Sequence, residues 1–375
     1  MYNFDEVIER KGTNSYKHDS NSGLLPMWVA DMDFRIPPEA NAAIQKCTDH
    51  GIYGYTIVRD DYNRAIMGWF AERFGYETKP EWIVKTPGVV FALSLAVRAF
   101  TQERDAIIIQ KPVYGPFESV IAENNRRLIV NSLVYEDGKY TVDFEDFERK
   151  IVDEDVRMFI LCSPHNPVGR VWTKDELRQF DEICTKHNCL VISDEIHCDL
   201  IYKGYKHHVF ENAVVCTAPS KTFNMPGLQN SNIFIANEDL RTRYQKEFRR
   251  TGYGSMLNIM GQAASQAVYE HGEPWLTALI EYLTGNLAYL NDFISKRIPK
   301  IKVIQPEGTY LVWLDFKEYN MPQNELNDLL INKAKVWLQN GILFGQEEGD
   351  GFFRINIGCP RSTLQTALER IERMM

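Results

Sequence analysis

The chain has 375 residues, of which 44% are apolar and 25% are charged, and its formal net charge is −9. This composition is typical of a globular protein long enough for two domains. The negative charge, without a run of Lys or Arg residues, argues against a nucleic-acid-binding surface. No apolar stretch approaches the roughly 20 residues that a membrane-spanning helix needs, so we expect no contact with a membrane.

The cysteines and the first residues indicate a cellular compartment. Seven cysteines are scattered along the chain, and Cys162, Cys189 and Cys216 lie in or beside apolar segments. Buried, reduced thiols of this kind are typical of cytoplasmic proteins. The N-terminus lacks the basic and apolar regions of a signal peptide. We therefore expect a cytoplasmic protein.

The first three quarters of the chain alternate between helices and strands after an irregular N-terminal segment. The pattern predicts helices over 39–50, 61–74, 89–100 and 173–187, and strands over 82–85, 106–109, 127–130, 158–162, 190–193, 214–217 and 233–236. Thr173 and Glu176 have the spacing of a capping box at the start of the fourth helix. Apolar strands between helices indicate an α/β domain with a mostly parallel sheet covered on both faces.

The pattern changes after residue 275. It predicts a long helix over 276–297, strands over 302–305, 310–315, 342–344 and 352–357, and helices over 325–339 and 362–375. Strands flanked by helices favour a smaller α+β domain here. We therefore predict a large domain over 51–275 and a small C-terminal domain over 276–375, which the N-terminal segment 1–50 joins.

Polar residues follow four of the predicted strands. Asn166 lies in the turn after the strand at 158–162, Asp194 follows the strand at 190–193, and Ser220 and Lys221 follow the strand at 214–217. The strand at 82–85 leads through Gly88 into the start of a helix. Ligands bind at the carboxyl ends of parallel strands, so these residues are predicted to form one site.

This set of groups suits the chemistry of pyridoxal 5′-phosphate (PLP). A lysine, here Lys221, forms a Schiff base with PLP, and a carboxylate, here Asp194, keeps the pyridine nitrogen protonated so that the ring accepts electrons. A helix N-terminus binds phosphate through backbone N–H groups, which Gly88, Val89 and Val90 can supply.

Arg354 is the candidate for substrate binding. It lies in the apolar stretch Phe352–Asn356, and a guanidinium group binds a carboxylate through two parallel hydrogen bonds. Each site residue taken alone also has an ordinary interpretation. Asp194 suits a helix N-cap, Asn166-Pro167 suits a turn, and Arg354 suits an ion pair at a sheet edge.

Several motifs together carry a family resemblance. The stretches Met27–Phe34, Tyr53–Thr56, Asn166–Trp172, Ser193–Asp199 and Ala218–Asn224 resemble the MalY/PatB family of cystathionine β-lyases (C–S lyases), within the fold-type I PLP-dependent class I/II aminotransferase superfamily. The resemblance implies a large domain with a mostly parallel seven-stranded sheet, a smaller α+β domain, and a homodimer whose active sites are shared between subunits.

The resemblance also implies roles for individual residues. Lys221 is the Schiff-base lysine, Asp194 pairs with the pyridinium nitrogen, Asn166 binds the 3′-oxygen of PLP, Tyr114 stacks on its ring, Tyr55 binds the phosphate in the neighbouring subunit, and Arg354 holds the substrate α-carboxylate. Tyr114 and Tyr55 also suit the core or the surface as ordinary tyrosines.

Two positions depart from the pattern of the superfamily. His197 stands where many aminotransferases have a tyrosine that contacts the 3′-oxygen, so this contact is in doubt. Gln229 stands where an arginine often binds the phosphate. The phosphate then depends on backbone N–H groups, on Ser220 and on Tyr55, and we expect somewhat looser binding of PLP.

The resemblance implies β-elimination of cystathionine or cysteine-type thioethers to a thiol, pyruvate and ammonia. Transamination is the alternative, because the same general motifs serve both reactions. A cofactor-binding regulator with little catalysis is disfavoured, since the catalytic positions are all filled. A metal site around His197 and Cys198 is also disfavoured, because the cysteines lack the spacing of a zinc site.

Overall fold

A seven-stranded sheet forms the centre of the computed structural model, which describes residues 2–21, 23–253 and 257–375. Numbered in chain order, its strands are β1 (Ile83–Thr86), β2 (Ala106–Lys111), β3 (Arg127–Ser132), β4 (Val156–Cys162), β5 (Leu190–Asp194), β6 (Val214–Thr217) and β7 (Ser231–Phe234). Their order across the sheet is β1-β7-β6-β5-β4-β2-β3, and only β7 runs antiparallel to its neighbours. The predicted α/β fold with a mostly parallel sheet is confirmed.

Helices connect the strands and cover both faces of the sheet. The α-helices span Tyr16–Asp19, Pro38–His50, Asp60–Phe74, Val89–Phe100, Pro116–Ala122, Phe144–Asp153, Lys174–Lys186, Pro219–Thr222, Glu238–Arg250, Ile259–His271, Glu273–Arg297, Gln323–Asp328 and Arg361–Glu372. The predicted capping box is present, because the Thr173 side chain accepts from the Glu176 N–H and the Glu176 side chain accepts from the Thr173 N–H.

Successive residues of each central strand pack into different cores. Ile107 and Ile109 of β2 face the core that contains the helices Val89–Phe100 and Glu238–Arg250. Ile108, between them, faces the core that contains the helices Phe144–Asp153 and Lys174–Lys186. Burial on both faces explains why these strands are continuously apolar in the sequence.

A smaller antiparallel sheet follows in the C-terminal part of the chain. Its strands are β8 (Lys302–Val303), β9 (Leu311–Asp315), β10 (Gln339–Asn340) and β11 (Phe352–Asn356), in the order β8-β9-β11-β10. Separately, Leu25–Pro26 pairs in parallel with Val336–Trp337, which links the N-terminal segment to this part of the chain. A hairpin of Val134–Glu136 and Lys139–Thr141 completes the strands.

Two predictions in the C-terminal part are wrong. The helix predicted over 325–339 ends early, since Gln323–Asp328 continues as a π-helix over Leu329–Ala334 and stops at Lys335, which has a left-handed backbone (φ 55°). The strand predicted over 342–344 is part of a 3₁₀ helix, Gly341–Phe344. None of the described helices is both long enough and apolar enough to cross a membrane.

Candidate active site

The ends of parallel strands bring the predicted site residues to one edge of the sheet. Asp194 is the last residue of β5, and Lys221 lies in the one-turn helix Pro219–Thr222 just after β6. The turn after β4 contains Asn166, and β1 leads through Gly88 into the helix Val89–Phe100. The strand ends therefore bring an amine, a carboxyl, an amide and a helix N-terminus close together.

These groups surround a cavity of about 520 Å³. Nine of the eleven predicted site residues line it: Gly88, Val89, Val90, Tyr114, Asn166, Asp194, His197, Ser220 and Lys221. A larger cavity of about 800 Å³ adjoins it at Pro226, but its wall contains none of the predicted site residues. The smaller cavity is therefore the candidate active site.

Lys221 brings a primary amine to the cavity wall. Its Nζ donates a hydrogen bond of 2.8 Å to the Ala30 carbonyl. Burial lowers the pKa of Lys221 to about 8, with nearby Asp31 and Asp194 opposing the shift and Arg354 adding to it. An amine with this pKa is neutral in about a tenth of the molecules at pH 7, far more than an exposed lysine.

Asp194 is a buried carboxyl close to Lys221. Burial raises the pKa of Asp194 to about 7, while the Ile196 N–H, which donates to Asp194 Oδ1 at 3.1 Å, and the Lys221 amine favour the charged form. A cationic group placed against this carboxyl would hold it ionised. The site therefore contains a carboxyl suited to a cationic ring nitrogen.

Asn166 and Arg354 are joined, although 188 positions separate them in the sequence. Arg354 is 3% exposed, and it donates to Asn166 Oδ1 at 2.9 Å and to the Trp28 carbonyl at 2.8 Å, while its Nε has no hydrogen-bond partner. Within the described part of the chain, no carboxylate forms an ion pair with Arg354. Arg354 does not itself line the cavity, but it contacts Asn166, which does, and a buried guanidinium with neutral partners and an unused donor can bind a carboxylate that reaches it.

Tyr114 lies in the cavity wall beside Asn166. Its backbone N–H donates to the Asn166 carbonyl at 3.2 Å, which couples the two segments that carry these side chains. Burial raises the pKa of the Tyr114 hydroxyl, so Tyr114 is neutral in the folded protein. Its ring therefore adds a flat, uncharged surface to the cavity.

His197 is present in the wall as a neutral ring. It is buried, its Nδ1 has no hydrogen-bond partner, and its ring lies edge-on to Tyr310 with 6.0 Å between the centroids. Burial holds the pKa of His197 well below its usual range, and the positive charges of Lys221 and Arg354 add to this effect. His197 can therefore offer a hydrogen bond without adding charge.

The start of the helix Val89–Phe100 forms another side of the cavity. Gly88 is its N-cap and provides no side chain that could occupy the first N–H groups, and Val89 and Val90 follow in the wall. The first N–H groups of a helix have no partner within the helix, so they attract anions. Ser220 adds a hydroxyl to the same cavity.

Tyr55 is not among the residues that line the cavity of its own chain, and its side chain is 98% exposed. The sequence resemblance assigns it to the site of a neighbouring subunit, and this role stays a prediction.

Some residues around the site were missed or given no role by sequence reasoning. The Ala30 carbonyl accepts from both Lys221 Nζ and the Tyr310 hydroxyl, each at 2.8 Å. Phe91, Ile196 and Tyr253 also line the cavity. Ala30 interacts through its backbone carbonyl, which every residue has, so its residue type does not predict this contact. The sequence indicates Ala30 only through its place in the stretch Met27–Phe34.

This set of residues fits PLP. The flat Tyr114 ring, the Lys221 amine, the Asp194 carboxyl and the helix start at Gly88 match its ring, aldehyde, pyridine nitrogen and phosphate in chemical type. The groups that lack protein partners point to a ligand as well, since the buried Nδ1 of His197 is unpaired. In the described residues, no cluster of His, Cys, Asp or Glu is arranged to hold a metal ion.

Comparison with known proteins identifies the family of the chain. The family described as aminotransferase class I and II matches residues 12–371. The chain is 43% identical to the cystathionine β-lyase PatB of Bacillus subtilis, over 99% of each chain, and 32% identical to the protein MalY of Escherichia coli, over 97% of this chain and 96% of that one.

A solved structure of a PLP-containing protein has the same fold. Cystalysin from Treponema denticola, which contains PLP, superposes with a TM-score of 0.96 at 37% identity, over 100% of this chain and 98% of that chain. The resemblance noted in the sequence is thus confirmed over the full length. The chain belongs to the class I and II aminotransferase family of fold-type I PLP-dependent enzymes, among the relatives of PatB and MalY.

Proposed function

We propose that this chain is a PLP-dependent C–S lyase. It cleaves cystathionine or a cysteine-type thioether by β-elimination and, with one water consumed, gives a thiol, pyruvate and ammonia. The observation that carries the proposal is the cavity that Lys221 and Asp194 both line, in a chain 43% identical over its length to a cystathionine β-lyase.

Bound PLP supplies an electron sink that stabilises negative charge at the substrate Cα. Lys221 is the residue that would hold it covalently, and Asp194 would face its ring nitrogen. Asn166 and His197 would lie at its 3′-oxygen side, and Tyr114 would cover its ring. The N–H groups of Gly88, Val89 and Val90 and the Ser220 hydroxyl would bind its phosphate.

Lys221 is also the base of the reaction. It must be neutral to take the proton from the substrate Cα, and its pKa of about 8 keeps part of the population neutral near pH 7. Arg354 would bind the substrate α-carboxylate, since its Nε is free and its hydrogen bonds are to uncharged oxygens. Holding the carboxylate orients the Cα proton toward the amine.

A homodimer with shared active sites is part of this proposal. Ile52, Tyr53, Tyr55 and Ile57 are all more than half exposed within eight residues of chain, and an exposed apolar patch favours contact with another protein surface. A cytoplasmic location and the division at residues 50 and 275 likewise stay proposals. The pairing of Leu25–Pro26 with Val336–Trp337 supports a small domain that includes the N-terminal segment.

One assay separates the lyase from an aminotransferase. The PLP-loaded protein is incubated with cystathionine, and in parallel with an amino acid and a keto acid. Pyruvate, free thiol and new amino acid are then measured. Thiol and pyruvate in equal amounts are expected, and Lys221→Ala should abolish both. New amino acid without thiol would overturn the lyase assignment in favour of transamination.

A further inference from the structure

The residue that follows Lys221 is tied to a buried carboxylate. Thr222 is fully buried, and its Oγ1 donates a hydrogen bond of 2.8 Å to Asp199 Oδ2. Asp199 is 4% exposed and lies five residues after Asp194 in the same segment. One side-chain contact therefore joins the helix of Lys221 to the segment that begins at Asp194.

Asp199 is itself held in place from a third element. In the helix Asp60–Phe74, Trp69 Nε1 donates to Asp199 Oδ1 at 3.0 Å. Arg73 Nε lies 3.0 Å from the same oxygen, at an angle that makes the contact an ion pair rather than a hydrogen bond. The Arg73 guanidinium also lies 4.9 Å from the centre of the Trp69 ring. Both carboxylate oxygens are thus engaged, and Asp199 is a fixed acceptor for Thr222.

The helix of Lys221 needs such an attachment. Pro219–Thr222 has only four residues, and two main-chain bonds close its end, from the Phe223 N–H to the Pro219 carbonyl and from the Met225 N–H to the Ser220 carbonyl. Helices this short are not stable alone, so contacts from outside must hold them. Thr222 provides one contact through Asp199, and the Phe223 ring provides another by packing edge-on against Trp69 at 5.6 Å.

We infer that Asp199 and Thr222 are positioning residues that fix Lys221 relative to Asp194 through their buried hydrogen bond. The inference rests on the proposed function in one respect, namely that Lys221 is the lysine that binds PLP. Neither Asp199 nor Thr222 lines the cavity, so both act through their neighbours. A displacement of about 1 Å at a reacting group can cost up to about a hundredfold in rate.

The test compares Thr222→Val, which keeps the shape and removes the hydroxyl, with Thr222→Ser, which keeps the hydroxyl. Thr101→Val is the matched control, since Thr101 is a buried threonine whose hydroxyl donates to a main-chain carbonyl outside the site. Three quantities are measured on the full chain: the PLP dissociation constant, kcat and KM for cystathionine, and the pH midpoint for acylation of Lys221 after removal of PLP.

In Thr222→Val we expect weaker PLP binding by about tenfold and a fall in kcat of about ten- to a hundredfold at nearly unchanged KM. The acylation midpoint of Lys221 should rise from about 8 by about one pH unit, because a loosened helix admits water to the amine. Thr222→Ser should restore all three quantities, and Thr101→Val should leave them unchanged.

Unchanged PLP affinity and an unchanged acylation midpoint in Thr222→Val would overturn the inference. Equal shifts in Thr101→Val, or no recovery in Thr222→Ser, would also overturn it, because the effect would then be general destabilisation. The acylation midpoint does not depend on any turnover. A wild-type protein that binds PLP but cleaves no thioether would therefore contradict the proposed lyase function and leave this test intact.

Discussion

Gln229 is a single residue that we expect to influence the affinity for PLP. It lines the cavity and lies directly after the 3₁₀ helix Pro226–Leu228, where its backbone is left-handed (φ 47°). An arginine here would add a charged donor to a phosphate that otherwise depends on N–H groups, hydroxyls and Tyr55. Gln229→Arg is expected to tighten PLP binding by about tenfold, because a hydrogen bond to a charged group is worth about 1.5–3 kcal/mol.

The dissociation constant of PLP, measured from its absorbance during dilution, tests this expectation. Gln102→Arg adds the same charge at an exposed position outside the cavity, and it serves as the control. The same affinity in both variants would show that a cation at position 229 does not reach the phosphate, and the expected looseness of the wild-type site would then have another cause.

At the scale of elements, the stretch Met27–Phe34 acts as a strap across the site. Every carbonyl from Met27 to Met32 accepts a hydrogen bond from another part of the chain; the donors include Arg354, Asn356, Lys221, Tyr310, Lys17 and Asn224. The strap thus ties the N-terminal segment to β11 and to the loop after Lys221. Loss of one anchor should loosen it locally.

Asn224 is the anchor that can be removed most cleanly. Its side chain accepts from the Met32 N–H at 2.8 Å and donates to the carbonyls of Met32 and Phe34. Its backbone is left-handed (φ 56°), and glycine adopts that conformation without strain. In Asn224→Gly, hydrogen exchange at the Met32 amide is expected to become at least about tenfold faster, since about 1 kcal/mol or more is lost for each bond.

Two references make this measurement specific. The Asp33 amide donates to the Gly358 carbonyl instead, so its exchange rate should change less than that of Met32. Asn188→Gly replaces another left-handed asparagine, in the turn after the helix Lys174–Lys186, and should leave the strap unchanged. Equal acceleration at Met32 in both variants would contradict the role of Asn224.

The sequence predicts several elements whose cause is local. The apolar runs of β4, β5 and β6 and the capping box at Thr173 were predicted because burial on both faces and side-chain capping act within a few residues. Because Asn166, Asp194 and Lys221 lie at or just after the carboxyl ends of these three strands, the sequence alone predicted that they lie close together. The site thus follows from the shared carboxyl edge of parallel strands, and the parallel arrangement follows from the alternation of strands with helices.

Some failures concern local features, since the helices Phe144–Asp153, Glu238–Arg250 and Ile259–His271 begin at side-chain caps and were not predicted. Other failures have distant causes. Val336 belongs to a predicted helix, but it pairs with Leu25, more than 300 residues earlier in the chain. The bond between Arg354 and Asn166 and the bond from Lys221 to the Ala30 carbonyl also join distant segments, and the second one uses a backbone atom. Periodicity within a short window contains no information about such contacts.

For the whole molecule, the segment 51–58 is the exposed surface that we expect a second subunit to contact. No helix or strand includes these residues, and Tyr55 is almost fully exposed beside the exposed Ile57. If a second copy of the chain buries this segment, as proposed above, Tyr55 is expected to reach the phosphate side of the partner's site. In a symmetric dimer each chain would then complete the site of the other.

Mixing two inactive variants tests this arrangement. Tyr55→Ala removes the shared residue and leaves Lys221 in place, whereas Lys221→Ala removes the lysine and leaves Tyr55 in place. If Tyr55 acts across the interface, a mixed dimer has one site with both residues, so random exchange of subunits should restore about a quarter of the wild-type cystathionine cleavage. If Tyr55 acts within its own chain, no mixed site is complete and activity stays at the level of the parents. Tyr205→Ala, another exposed tyrosine, is the control for Tyr55→Ala and should keep full activity.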